Sequence, residues 1–207
     1  MPSITFDLLH QLPKVELHCH LDGCLRPESI LDVALKDGVE LPSFDLAELT
    51  SYLKIGKKRG SLVDYIERFD ITLSVMQTPE SLTRFAFELI EDVAAENIRY
   101  IEIRYSPILH TSNGMTLEEA IISVRDGQKK GEMDHGVRSG ISVCGIRHMS
   151  SEASLKLADL CVRFNNKGVV GFDLAGAEEN FLAKDHREAF YMILNLNIKA
   201  TKQAGEA

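Results

Sequence analysis

The chain has 207 residues, 44% hydrophobic and 26% charged, with a formal net charge of -8 at pH 7. That length and balance fit one substantial folded domain and leave no room for a long disordered tail. The acidic excess argues against a nucleic-acid backbone or an anionic membrane as the main partner, because neither surface attracts it, and directs attention to a small neutral or cationic ligand.

From Val15 to Leu21 every odd position is apolar and every even position is Glu or His. This period of two predicts a β-strand that sets His18, His20 and Asp22 on one face. Two imidazoles and a carboxylate two residues apart, closed by Gly23, suit a divalent metal at a strand's end better than a packed core. Cys19 falls on the apolar face of that strand, and Cys24 lies just past the turn. Cys19, Cys24, Cys144 and Cys161 have neither CxxC spacing nor the density of a disulfide framework. With no apolar stretch near the ~18 residues of a membrane span and no basic-then-apolar leader, a cytosolic protein with reduced cysteines is expected.

Arg26-Pro27-Glu28 opens a helix, with Ile30, Leu31, Ala34 and Leu35 as its buried stripe and Gly38 as its stop. The segment from Val39 to Gly60, including Lys57-Lys58-Arg59, reads as a solvated loop. Ser61 to Asp64 resembles a capping box, followed at helical spacing by Leu62, Ile66, Phe69, Leu73 and Met76. A further helix starts at Thr78-Pro79-Glu80 and runs to about Glu96, presenting Leu82, Phe85, Leu89 and Val93.

Tyr100 to Ser106 alternates again and is stopped by Pro107. Glu102, Arg104 and Ser106 therefore face one way, which predicts an ion pair between the first two and gives Ser106, at the strand's C-terminal end, a claim on a ligand. Thr116 to Glu119 caps a helix to about Gly131, Arg138 to Gly145 is a third strand, and Ser151 caps a helix that ends near Gly168. Val169 to Leu174 is the fourth strand. It leads into Ala175-Gly176-Ala177-Glu178, a turn whose glycine brings backbone N–H groups close to a ligand. A helix capped by Asp185 to Glu188 and a short strand from Ile198 to Thr201 complete the reading, while His110, His135, His148 and His186 are expected at the surface. Alternating strands and helices without repeat or linker predict an α/β domain with a parallel sheet, its function at the C-terminal mouth.

Leu12 to Gly23, followed by Leu25-Arg-Pro-Glu28, resembles the N-terminal signature of adenosine deaminases in the metal-dependent amidohydrolase superfamily. Ile101 to Pro107 and Val170 to Gly176 resemble later segments of that family in the right order. The resemblance implies a TIM-type (β/α)8 barrel, here about five βα units in a single partial metallo-dependent hydrolase domain over residues 1–207. It also implies Zn2+ as cofactor and a purine nucleoside as ligand. His18 and His20 are then zinc ligands, Asp22 holds a ribose hydroxyl, the N–H of Gly176 approaches a purine ring nitrogen, and Ser106 lies near the pocket. Glu206 is the acid that protonates the ring while a zinc-bound hydroxide attacks, giving inosine from adenosine. The family has His-Ala-Gly-Glu where this chain reads Gln203-Ala-Gly-Glu206, and the chain stops at Ala207, before the segments that supply the family's remaining ligands. It is therefore expected to be weak or inactive alone. The alternatives are a deaminase of adenine or of a modified adenosine nucleotide, and a non-catalytic fragment that binds a purine or a partner. An unclosed sheet also predicts self-association through its edges.

Overall fold

A computed structural model describes residues 4–54 and 69–205. The basic triplet from Lys57, the capping box from Ser61 with Leu62 and Ile66, and Glu206 lie outside the described residues. The described chain runs α1 (Phe6–Gln11), β1 (Lys14–His20), α2 (Pro27–Asp37), α3 (Leu46–Leu53), α4 (Phe69–Ser74), α5 (Pro79–Ala95), β2 (Ile98–Tyr105), α6 (Leu117–His135), β3 (Arg138–Ile146), α7 (Ser151–Phe164), β4 (Val169–Ala175), α8 (Arg187–Asn195) and β5 (Lys199–Ala200). The strands form one sheet in the order β1-β2-β3-β4-β5, every neighbouring pair parallel. This is the arc of a TIM-type barrel, with four βα units and a fifth strand among the described residues.

Register decides which side chains share a face. His20 stands opposite Arg104, Arg104 opposite Ser142, and Cys144 opposite Asp173. The ladder continues past β5, because the amides of Thr201 and Gln203 donate to the carbonyls of Phe172 and Leu174 at 2.9 and 3.0 Å. One face thus carries His18, His20, Arg104, Asp173, Thr201 and Gln203. The other face, with Ile101, Ile103, Ile141, Val143, Phe172 and Leu174, is buried with Phe85, Leu157, Leu160 and other helical apolar residues. Phe172 meets Phe190 of α8 edge-on, ring centroids 5.4 Å apart.

The helix signals hold with local corrections. Thr78 with Ser81, and Thr116 with Glu119, form reciprocal capping boxes at α5 and α6. The cap of α7 is Ser150, one residue earlier than expected, and the cap expected around Asp185 is replaced by a 3-10 turn over Ala183–His186. In α2 the buried positions are Ser29, Ile30, Val33 and Ala34, while Leu35 is exposed, so the buried stripe is rotated toward Val33. The expected loop after Val39 contains α3, whose N-cap Asp45 accepts from the amide of Glu48 at 2.9 Å.

The helix expected to stop at Gly131 continues to His135 and ends at Gly136, which has φ +71°. Gly127 and Gly131 are contact residues and not terminators. A Cβ at Gly127 would lie 2.2 Å from the Thr83 carbonyl oxygen, and one at Gly131 would lie 2.6 Å from Cβ of Ile90. Gly127→Ala is accordingly expected to destabilise the fold by about 1–3 kcal/mol through overpacking, despite alanine's better helix propensity. Urea denaturation decides this: a stability gain would mean that α5 can withdraw freely from α6.

Two histidines expected at the surface are buried. His186 sits between Ser154 Oγ (2.7 Å) and the Arg147 carbonyl (3.1 Å), and His110 places Nδ1 3.0 Å from the Met76 carbonyl. His110 Nε2 is buried without a partner, and burial pushes the imidazole down to about 4. The folded state thus holds His110 neutral, while the unfolded chain takes up a proton below about 6.5. Stability from this group is complete above about pH 6.5 and falls as pH drops toward 4, by about 2 kcal/mol at pH 4.5. Urea midpoints at pH 7 and 4.5 should show the loss, and His110→Gln should flatten that part of the pH dependence whatever its own stability.

Candidate active site

The polar cluster begins on β1. Backbone alternation puts His18 and His20 side by side, ring centroids 5.3 Å apart. A 3-10 turn over Leu21–Gly23 follows, with Leu21 fully buried beneath it. The turn carries Asp22 back toward β1, so that Oδ1 lies 3.9 Å from His20 Nδ1. Asp22 Oδ1 is buried and has no hydrogen-bond partner. Burial raises this carboxyl to about 6, against hydrogen bonds from its own amide and that of Gly23 which pull it down. A buried, unsatisfied acceptor of this kind is suited to an incoming hydroxyl.

The centre of the cluster is an ion pair that the sequence did not assign correctly. Arg104 Nη1 donates to Asp173 Oδ2 at 2.6 Å and Nη2 donates to the Leu17 carbonyl at 2.7 Å. Glu102, the partner expected from spacing, instead accepts from the Tyr100 hydroxyl at 3.0 Å. Asp173 also accepts from Thr201 Oγ1 at 2.7 Å and from Gln203 Nε2 at 2.9 Å. Burial alone would raise the Asp173 carboxyl, but the bonds from Gln203 and Thr201 and the charge of Arg104 together hold it below the usual carboxylate range.

Gln203 links this pair to β1. Its Nε2 is 3.1 Å from His20 Nε2 while also donating to Asp173. An amide nitrogen can only donate, so His20 Nε2 accepts and the imidazole proton resides on Nδ1, the side toward Asp22. Burial first, then the neighbouring His18 and Arg104, lowers His20 to about 4 and keeps it neutral. Imidazole nitrogens are sound zinc donors in type. However, the His20 Nε2 lone pair is taken by Gln203, and among the described residues no group of three or more His, Cys, Asp or Glu is placed to hold a metal. The described donor set does not fit a complete zinc centre.

At the ends of β3 and β4 the backbone is clamped by Arg147. Its guanidinium donates to the carbonyls of Phe181 (3.0 Å) and Gln203 (2.5 Å) and lies 3.7 Å from Glu178. Glu178 accepts in turn from the Gly205 amide at 2.7 Å. Gly176 takes φ +96°, a conformation that favours glycine, and a Cβ there would press on Ile146 Cγ2 at 3.3 Å. Ser106 is buried and its hydroxyl donates to the Cys144 carbonyl at 2.7 Å, leaving only its lone pairs for any ligand. His18, His20, Asp22, Arg104 and Gln203 thus form one network with Asp173 and Thr201, which the sequence reading had not assigned to the site. Asp173 had a sequence signal: it is the single charge inside the otherwise apolar run of β4.

Polar groups gathered at the C-terminal ends of parallel strands, in front of a helix-covered apolar face, define a barrel-type α/β protein with its site at the strand mouths. The chain belongs to the adenosine deaminase family, whose sequence profile matches residues 13–207. It is similar to a probable adenosine deaminase of Dictyostelium discoideum, 41% identical over 204 residues that cover 99% of this chain and 26% of that protein. It is 42% identical to an adenosine deaminase of Clostridium botulinum strain 657 over 197 residues, 95% of this chain and 60% of the relative. Among solved structures, the N6-mAMP deaminase of Arabidopsis superposes with a TM-score of 0.84 at 25% identity, covering 98% of this chain and 61% of that one. The chain thus spans less than two thirds of the length of each of these proteins.

Proposed function

We propose that this chain carries the nucleoside-recognition face of a zinc-dependent hydrolytic deaminase that converts adenosine and water to inosine and ammonia. The observation that carries the reading is Asp22, whose buried Oδ1 lacks a partner beside His20. In this reading Asp22 accepts a ribose hydroxyl, the Gly176 N–H meets a ring nitrogen of the purine, Ser106 lines the pocket, and Glu206 is the ring-protonating acid. His18 and His20 are the chain's zinc donors. Because Gln203 stands where the family has a third histidine and occupies His20, the chain by itself is proposed to be weak or inactive.

Two measurements separate recognition from turnover. Calorimetric titration should detect adenosine binding that Asp22→Ala abolishes; a chain that binds no adenosine sinks the purine reading. Absorbance near the adenine band, with zinc added, should show little turnover, and enzyme-like rates would overturn the inactivity claim while leaving the family reading intact.

The similarity to the Arabidopsis N6-mAMP deaminase favours a second reading, in which the ligand is a modified adenosine nucleotide. Titration with adenine, adenosine and AMP side by side discriminates among base, nucleoside and nucleotide. We further propose that residues 1–207 form a single partial barrel domain of a cytosolic protein. Its four free cysteines fit that compartment, and among the described residues no helix is long and apolar enough to cross a membrane. Its open edges are proposed to support self-association: Val15 and Leu17 on the outer face of β1 are 61% and 54% exposed. A purely non-catalytic binding role predicts adenosine affinity without zinc affinity in the same titrations.

A further inference from the structure

We propose that Cys19 and Cys24 form a modification site at which a hydroperoxide closes an intramolecular disulfide, fastening β1 to the chain beyond the Asp22 turn. Their sulfurs lie 3.4 Å apart, in mutual hydrogen-bond contact. The turn between them is already shaped for closure: Leu21 is buried, and the Cys24 amide donates to the Leu21 carbonyl at 3.1 Å. The sulfurs have only the gap from 3.4 Å to the ~2 Å of a disulfide left to close.

Access separates this pair from the chain's other thiols. Cys19 and Cys24 are partly exposed, whereas Cys144 and Cys161 are buried. Cys161 donates to the Gly171 carbonyl at 3.4 Å, and Cys144 lies 3.8 Å from the Ser142 carbonyl, on the inner face of β3 beside Asp173. An oxidant arriving from solvent therefore meets the pair first.

The chemistry balances with one hydroperoxide. One thiolate attacks a peroxide oxygen, the O–O bond breaks, and the departing alkoxide or hydroxide is protonated, leaving a sulfenic acid. The second thiol then attacks that sulfur, an S–S bond forms, and the sulfenic hydroxyl leaves with the thiol proton as water. Two thiols are oxidised by two electrons and the peroxide is reduced to an alcohol, or to water, plus one water. The closed ring encloses His20, Leu21, Asp22 and Gly23, so oxidation restrains the turn that carries Asp22. The proposal does not depend on what Asp22 binds.

Purified chain treated with hydrogen peroxide, alkylated and digested provides the test. The expected result is a loss of about 2 Da in the peptide holding both cysteines, restored by dithiothreitol, with Cys144 and Cys161 still alkylated. Phenylarsine oxide, which bridges neighbouring thiols, should protect the native pair, and Cys19→Ser should instead yield a trappable sulfenic acid at Cys24. Full alkylation of Cys19 and Cys24 after peroxide treatment overturns the proposal. So does separate oxidation of the two to sulfinic acids, or a bridge formed only between chains.

Discussion

Replacing Arg104 with Met is expected to lower the free energy of unfolding by about 3–5 kcal/mol, among the larger losses a single substitution produces. The side chains of Arg104 and Asp173 are 3% and 0% exposed, so removing the guanidinium strands a carboxylate where water cannot reach it. Thr201 and Gln203 would still donate to Asp173, which moderates the loss without supplying a countercharge. The Leu17 carbonyl would also lose its donor, loosening β1 against β2. Exchanging both partners for apolar residues, Arg104→Met with Asp173→Leu, should cost distinctly less than the sum of the two single changes, because no charge is left behind. Urea denaturation of the three variants measures this. A single Arg104→Met variant within about 1 kcal/mol of the parent would mean that the pair is solvated in the folded protein.

Gln203→His is expected to tighten zinc binding by about 100-fold or more, since it does two things at once. It removes the amide that now donates to His20 Nε2, freeing that lone pair, and it introduces a third imidazole at the same place. The change also withdraws one donor from Asp173, so some fold stability should be lost. Competition against a chromophoric chelator reads zinc affinity directly, without reference to turnover. If parent and variant compete equally, Gln203 is not what limits the metal at His18 and His20. Asp22→Asn in the same assay should change zinc affinity far less, because Asp22 is proposed to face the substrate.

What the sequence made legible was local. The His-x-His alternation, Pro27 at the start of α2 and the Thr78 and Thr116 caps each depend on residues within one turn or one pleat, and each stands in the structure. What it hid was register. Arg104 has an acid two residues away on its own face, yet its partner is Asp173, 69 positions along the chain and two strands over. Choosing between them requires knowing how β3 and β4 align, which no local spacing encodes. Gly131 misled for a related reason: a glycine demanded by the approach of another helix looks, along the chain, like a glycine that ends one. His110 and His186 read as surface loop residues because their carbonyl and hydroxyl partners come from distant segments.

Because strand order follows chain order, the sheet can be laid down vectorially, each βα unit docking on the edge left by the one before it. A nascent chain growing from its N-terminus would place His18 and His20 first. The contact that engages His20 arrives from Gln203, 183 residues later. The His20 Nε2 lone pair is therefore uncommitted while those residues are added, and the segment that follows β5 decides what it holds.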